Sequence, residues 1–278
     1  MATIGSNTYG KTRVRLTYVD RARVPHDVRE LSVNVLFEGD FNAAFTDGDN
    51  SKILPTDTMK NTVYALARQI RWDSIEILAQ SIARHFLERV AQLSHVSVDI
   101  EEVPWRQIGN HGAAFSQAGN ERRTTRLTAG RSRLEIRSGI KGLQILKTAD
   151  SSFVGYMKDR LTTLQETHDR LFGTVLEAEW QYVHGDISFN DCYREVRTIL
   201  LDCFAQHKSL SVQHTLFAMA EAVLEKVNTV AEIYLVMPNK HCILVDLSPF
   251  GLDNPNQIFT PIDEPSGYID ARICRRSS

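Results

Sequence analysis

The residues able to do chemistry are spread along the chain, and the short motifs they form exclude more than they assign. His184-Gly185-Asp186 followed by Asn190 has the residue types of a small-molecule kinase loop, in which the aspartate is a base and the asparagine holds magnesium. Here the asparagine comes one residue early and no glycine-rich phosphate loop precedes it. The further aspartate considered for a metal, Asp246, lies 60 residues on and reads as part of a strand. A turn before a helix starting near Phe189, capped by Asp186 or Ser188, accounts for these residues better. His241 and Cys242 are neighbours on a strand and so point to opposite faces, which does not suit a shared zinc ion. No GxGxxG follows a strand, and no His/His/carboxylate set stands at a recognisable spacing. Cys192, Cys203, Cys242 and Cys274 form no CxxC pair and read as reduced thiols. His26, His85, His111, His168, His207 and His214 read as surface or core histidines. Nothing local announces a flavin, a nucleotide or a metal.

The elements that must position these residues come in a repeated order. Lys11–Val19 and Leu31–Phe37 alternate at period two, as half-buried antiparallel strands do. A helix is predicted from Thr56 or Asp57, with Met59, Val63, Leu66 and Ile70 on one side. A second follows Asp73 or Ser74, with Ile75, Leu78, Ile82, Phe86 and Val90 at steps of three and four. Strands return at His95–Trp105 and Thr124–Ile136. The second half runs through the same series: strands at Lys141–Thr148 and Leu176–Val183, then a helix over Phe189–His207. A helix opened by Ser209 or Ser211 follows, then strands at Val230–Met237 and Cys242–Leu247. The expected fold is α+β: two tandem ββααββ units, 1–137 and 138–278, whose antiparallel sheets carry helices on one face.

The 278 residues are 42% hydrophobic and 24% charged, enough to bury a sizeable core. A net charge of -2 offers no basic field for nucleic acid or an anionic membrane. No apolar run approaches the roughly 20 residues of a membrane span. The opening MATIGSNTYGKTRVRL lacks the apolar stretch of a secretory signal, and the closing RICRRSS is not a peroxisomal address, so a cytoplasmic location is expected.

Five segments then stand out together: YGKTRVRL (9–16), TDTMKNTVYALAR (56–68), FVGYMKDRLTTLQETHDR (153–170), LSVQHTL (210–216) and MPNKHCILVDLSPFGLDNPNQIF (237–259). In order and spacing they resemble the signature blocks of the urate oxidase family, and the resemblance spans Tyr9 to about Ile273. That family has the tunnelling fold, whose unit is ββααββ. The resemblance implies dimers that close a barrel around a tunnel, stacked into a homotetramer with active sites between subunits. It also implies a cofactor-free oxidation of urate by O2 and water to 5-hydroxyisourate and hydrogen peroxide.

Triplet oxygen reacts slowly with closed-shell molecules, so most oxidases carry a flavin or metal. An electron-rich urate anion can supply the electrons itself, leaving the protein to provide a base, an anion clamp, a stacking surface and a place for oxygen. By the resemblance, Lys11 is the base. A lysine ordinarily keeps its proton well above neutral pH, and the family relays the proton through positions matching Thr56 and His241. Arg170 matches the clamp, its planar fork suited to two adjacent acceptors on a planar anion. Gln213 would hold the opposite edge, where a carboxamide can donate and accept. Val212 would act through its N–H, Phe153 by stacking under the purine, and Asp57 through its backbone. Asn239, with Thr56, would hold oxygen and then the attacking water. In the family, Thr56 and Asp57 reach the site from a neighbouring subunit. Without the resemblance, Lys11 reads as a solvated strand residue and Arg170 as a surface ion-pair partner. Gln213 reads as an exposed helix residue, Phe153 as core, Asn239 as a turn residue after Pro238, and Asp57 as a cap. Two other readings keep the fold: a zinc-dependent pterin or purine enzyme, and a non-catalytic purine-binding relative.

Overall fold

The computed structural model describes residues 2–117, 119–183 and 186–276. The kinase-like reading of His184 and Gly185 therefore lies outside the described residues. The chain divides into two compact units: Met1–Gly139 with Ser188–Asn190, and Ile140–Ile187 with Asp191–Ser278.

The first unit contains strands β1 (Tyr9–Asp20) and β2 (Asp27–Gly39), a short α1 (Asn42–Thr46), and helices α2 (Thr56–Gln69) and α3 (Ile75–Arg89). Strands β3 (Leu93–Val103), β4 (Trp105–Gln107), β5 (Phe115–Gln117) and β6 (Arg122–Gly130) follow. The sheet order is β1-β2-β3-β6, all antiparallel, with β4 and β5 forming a separate hairpin. The alternation of β2 sets one face: Leu31, Val33, Val35 and Phe37 are at most 1% exposed. They pack with Met59, Val63 and Leu66 of α2 and Ile75, Leu78, Ile82 and Phe86 of α3. Each such side chain contributes about 1.5–3 kcal/mol of burial. The hydroxyl of Ser74 caps α3, accepting from the Ile77 N–H at 3.3 Å. At α2 the expected cap is corrected. Pro55 holds the N-cap position with no side-chain cap bond, and the Asp57 carboxylate turns to Lys60 and Asn61 instead.

Strand β7 (Leu134–Lys147) also corrects the sequence reading, which placed strands at 124–136 and 141–148. The chain turns where the Gly130 N–H donates to Arg133 O (2.8 Å), and one strand then runs unbroken to Lys147. The division expected between residues 137 and 138 falls inside it.

The second unit holds the rest of β7, β8 (Phe172–Tyr182), most of α4 (Phe189–Gln206), and α5 (Val212–Lys226). Then come β9 (Val230–Val236), β10 (Asn239–Leu244), a 3-10 turn at Ser248–Phe250, β11 (Phe259–Gly267) and β12 (Asp270–Cys274). Val196 and Leu200 of α4 and Leu216, Met219 and Val223 of α5 share a core with Leu176, Trp180, Ile233 and Leu235. The strand beside β9 is not the one expected from CILVDL. β12 pairs β9, while β10 and β11 form a hairpin whose first residues pair with the start of β8. Sequence alone could not separate a fourth repeat strand from an inserted hairpin, because both are short apolar runs after a turn.

Among the described residues no helix is long and apolar enough to cross a membrane. The first unit also buries a charged network. Glu76 is fully buried, and Arg123 donates to it at 2.8 Å. Ser138 also donates to Glu76. Asn190 accepts from Arg123 at 2.6 Å and donates to Asp73 O at 2.8 Å. So Asn190, which the sequence offered as a magnesium ligand, ties a loop down. Breaking one member of a buried ion pair leaves its partner stranded, at about 3–5 kcal/mol. Glu76→Ala should therefore lower the melting temperature by roughly 10 °C, with Glu76→Gln losing less. Calorimetry showing both variants unchanged would remove the network from the stability of this unit.

Candidate active site

Unit 1 brings Lys11, Thr56 and Asp57 to one neighbourhood. Gly10 precedes the lysine because β1 runs close to β2 there: a Cβ at Gly10 would stand 2.0 Å from the Val35 carbonyl oxygen. Lys11 lies opposite Val35. Directly paired residues of an antiparallel ladder share a face, and Val35 is buried under the helices. Lys11 therefore projects toward the side that carries α2. The loop before α2 is pinned from β1: the Tyr9 hydroxyl accepts from the Leu54 N–H at 3.1 Å, and its ring packs edge-on against Phe37 and Phe41. Burial pushes the Tyr9 phenol up, against the opposing pull of the Leu54 bond. Thr56 is then the first residue of α2 and half-buried. The Asp57 carboxyl is held below the usual carboxylate range chiefly by Lys60, then by Asn61 and by the charge of Lys11.

Unit 2 gathers Phe153, Arg170, Val212 and Gln213 through the irregular stretch between β7 and β8. The Ser152 N–H donates to Ser209 O (2.8 Å) and the Ser209 N–H to Asp150 O (2.9 Å). The Arg170 N–H donates to Ser151 O (2.8 Å), and Phe153 and Thr167 exchange two backbone bonds of 2.8 and 3.2 Å. This weave sets the Arg170 guanidinium carbon 5.3 Å from the centre of the Phe153 ring. Arg170 Nε is buried and has no hydrogen-bond partner. Burial pushes the guanidinium below its ordinary value. A buried cationic donor without an acceptor is costly in a folded chain, and a bound anion would relieve that cost.

Ser211 ends the same weave and caps α5, its hydroxyl accepting from the His214 N–H at 3.1 Å. Val212 and Gln213 thus occupy the first turn, where backbone N–H groups have no intrahelical acceptor and the helix dipole favours negative charge. The Val212 side chain is buried while Gln213 is exposed. His214 Nδ1 lies 3.1 Å from His207 Nε2, at the end of α4. Burial, followed by the charges of His214 and Lys147, pushes His207 below the usual histidine value.

Asn239 and His241 lie two apart on β10, with Asn239 Nδ2 3.4 Å from His241 Nδ1. Asn239 is buried and pairs with Thr174 of β8, four residues beyond Arg170. Thr174 Oγ1 is itself buried without a partner. His241 is exposed. The sequence reading missed Tyr156, which stacks on Phe153 at 4.8 Å and 13°. Its place three residues on, in FVGY, was the available signal.

Of four cavities among the described residues, one shares a residue with the set. The one that shares Arg170, about 260 Å3, is otherwise walled by residues such as Thr148, Asp169, Cys242 and Phe259. Two others in unit 1, about 460 and 570 Å3, contain none of the candidate site residues. Among the described residues no three His, Cys, Asp or Glu side chains are grouped to hold a metal ion.

A family model for uricase matches residues 7–128 and 136–270. The uricase of Arthrobacter globiformis is 42% identical over 275 residues, covering 99% of this chain and 91% of the relative. That of Dictyostelium discoideum is 37% identical, covering 100% of this chain and 99% of the relative. A crystal structure of the Arthrobacter uricase superposes with a TM-score of 0.96 at 41% identity, covering all of this chain and 96% of that one. A urate oxidase structure from Bacillus sp. TB-90 gives 0.86 at 25% identity, covering 97% of this chain and 100% of that one. With both halves of the chain matched by the family model and full-length relatives well above 30% identity, this chain belongs to the uricase family.

Proposed function

We propose that this protein oxidises urate with O2 and water to 5-hydroxyisourate and hydrogen peroxide, without a metal or flavin of its own. The observation that carries the reading is the Arg170 guanidinium beside the Phe153 ring, with its buried Nε lacking an acceptor. A flat anion lying along the ring would supply that acceptor and present a second one to the fork. Tyr156 already covers one face of Phe153, so the purine would take the other. Gln213 would meet the opposite edge, and the Val212 N–H at the start of α5 would donate to the anion.

Lys11 removes a proton from bound urate, passing it along Thr56 and His241. An electron then moves to oxygen, and the radical pair joins as a hydroperoxide at ring carbon five. Peroxide leaves, and water held by Asn239 and Thr56 adds at that carbon. The Asn239–His241 contact couples the oxygen holder to the relay.

Lys11 and Thr56 belong to unit 1, and Phe153, Arg170, Gln213, Asn239 and His241 to unit 2. We propose a homotetramer with active sites between subunits, in which Thr56 and Asp57 come from a neighbouring copy. Lys11, whose charge reaches Asp57, travels with them. The two units correspond to tandem repeats 1–137 and 138–278, and the assembled sheets close a barrel.

The test is simultaneous urate loss and oxygen uptake by purified protein with a strong chelator present. Coupled loss of both with peroxide appearing is the expected result. Urate binding without oxygen uptake would mark a non-catalytic relative, and activity lost to the chelator and restored by zinc would mark a metalloenzyme. Lys11→Ala should lower kcat by about 10²–10⁴-fold, the usual cost of a lost acid–base group. Near-normal turnover would remove it from the mechanism. Arg170→Ala should mainly weaken binding of urate and of planar xanthine-like inhibitors, and titration calorimetry with unchanged affinity would sink the clamp.

A further inference from the structure

We propose that Asn34 is a positioning residue for Lys11: its side chain holds the extra residue in β1 that turns Lys11 onto the helix side of the sheet. The proposal rests on Lys11 being the base. Val14 lies opposite Val33, and Lys11 opposite Val35. Two steps separate the partners on β2 but three separate those on β1, so Thr12 and Arg13 together face Asn34. Val33 and Val35 are both fully buried under the helices. Lys11 therefore shares the face on which α2 begins, and its charge acts on Asp57 there. An unbroken strand would give the opposite result. Three steps of alternation back from Val14 put residue 11 on the helix-free face. One inserted residue decides from which side Lys11 acts.

The insertion has a visible retainer. Arg13 has φ of 55°, a left-handed conformation that a residue with a side chain adopts only at a cost. Its N–H donates to Asn34 Oδ1 at 2.8 Å. The residue that two others oppose thus supplies the acceptor that keeps the bulge in place. On the other side of Lys11, β1 runs so close to β2 that a Cβ at Gly10 would stand 2.0 Å from the Val35 carbonyl oxygen. Asn34 lies on the opposite face from Lys11 and touches no reacting group, so its effect on turnover runs through the backbone.

The experiment measures kcat and KM for urate, with thermal unfolding, in Asn34→Leu, Asn34→Asp and the double variant Asn34→Leu/Arg13→Gly, with Lys11→Ala as reference. Asn34→Leu removes the acceptor at similar volume. Its kcat should fall about 10²-fold, as displacement of a reacting group by about 1 Å does, with KM changed little because the proposed clamp is in the other unit. Asn34→Asp keeps an acceptor oxygen and should retain turnover. Glycine adopts the left-handed conformation freely, so the double variant should recover most of the lost kcat. A folded Asn34→Leu with kcat within about threefold of wild type, beside a Lys11→Ala that has lost turnover, overturns the proposal. So does a folded double variant that turns over no better than Lys11→Ala. Should Asn34→Leu alone fail to fold, the kcat of the double variant decides in the same way. Normal turnover by Lys11→Ala would instead overturn the base assignment, and the positioning role with it.

Discussion

A pleated strand sends successive side chains to opposite faces, and the chemistry assigned to the first unit depends on the one place where β1 departs from that rule. Val14 is committed to the core by the helices above it. Without the added residue between Lys11 and Val14, the same core would send Lys11 to the helix-free face. The departure is bought with a residue in the left-handed region, and natural sheets use bulges in this way to re-aim a side chain near a site. The surrounding sheet is otherwise regular, with ten paired residues between β2 and β3 interrupted only near Gly39. Regularity elsewhere lets one irregularity carry information.

The second unit solves a different problem. Its site residues come from a stretch with little regular structure, which must satisfy its backbone groups some other way. Ser151, Ser152 and Ser209 do this by joining the strand-to-strand connection to the turn before α5. Ser151, Ser152 and Ser209 are all buried. The same backbone bonds fix Arg170 against Phe153 and deliver the first turn of α5 three residues beyond Ser209. Arg170 and Gln213, distant in sequence, are thereby attached to one scaffold.

Periodicity made much of this legible. The strands around Val35 and Ile233 and the helices from Ile75 and Val212 follow from the spacing of apolar residues, because burial on one face is a strong, local constraint. The caps were readable to within two residues, as Asp73 or Ser74 and Ser209 or Ser211, since a polar side chain before an apolar-periodic run satisfies an orphan N–H, and the structure selects Ser74 and Ser211. The bulge at Thr12–Arg13 was not legible: KTRVRL alternates through it, and an arginine at φ of 55° carries no compositional mark. Nor was the role of Asn190, whose partners Arg123 and Asp73 lie far away in sequence. Tyr156 was passed over because an aromatic ring in a loop says nothing of what it stacks on. The roles of Lys11, Arg170 and Gln213 entered through resemblance, since each residue type is commonplace where it stands.

The displaced strand in the second half shows how an insertion can serve a site. β9 ends at Val236, and the repeat's fourth strand position beside it is filled by β12, 34 residues after β9 ends. The chain between forms the β10–β11 hairpin. Because β9 has taken the edge of β8 from Glu177 onward, β10 can pair only with the start of that strand, at Gly173 and Thr174. That register brings Asn239 to the strand that begins two residues after Arg170. Had CILVDL been the fourth repeat strand, pairing along β9, Asn239 would lie in the turn leading into it, away from Thr174. The hairpin therefore places Asn239, proposed to hold oxygen, and His241, proposed to relay the proton, beside the start of β8, which follows Arg170 closely in the chain, and leaves β9 paired with β12.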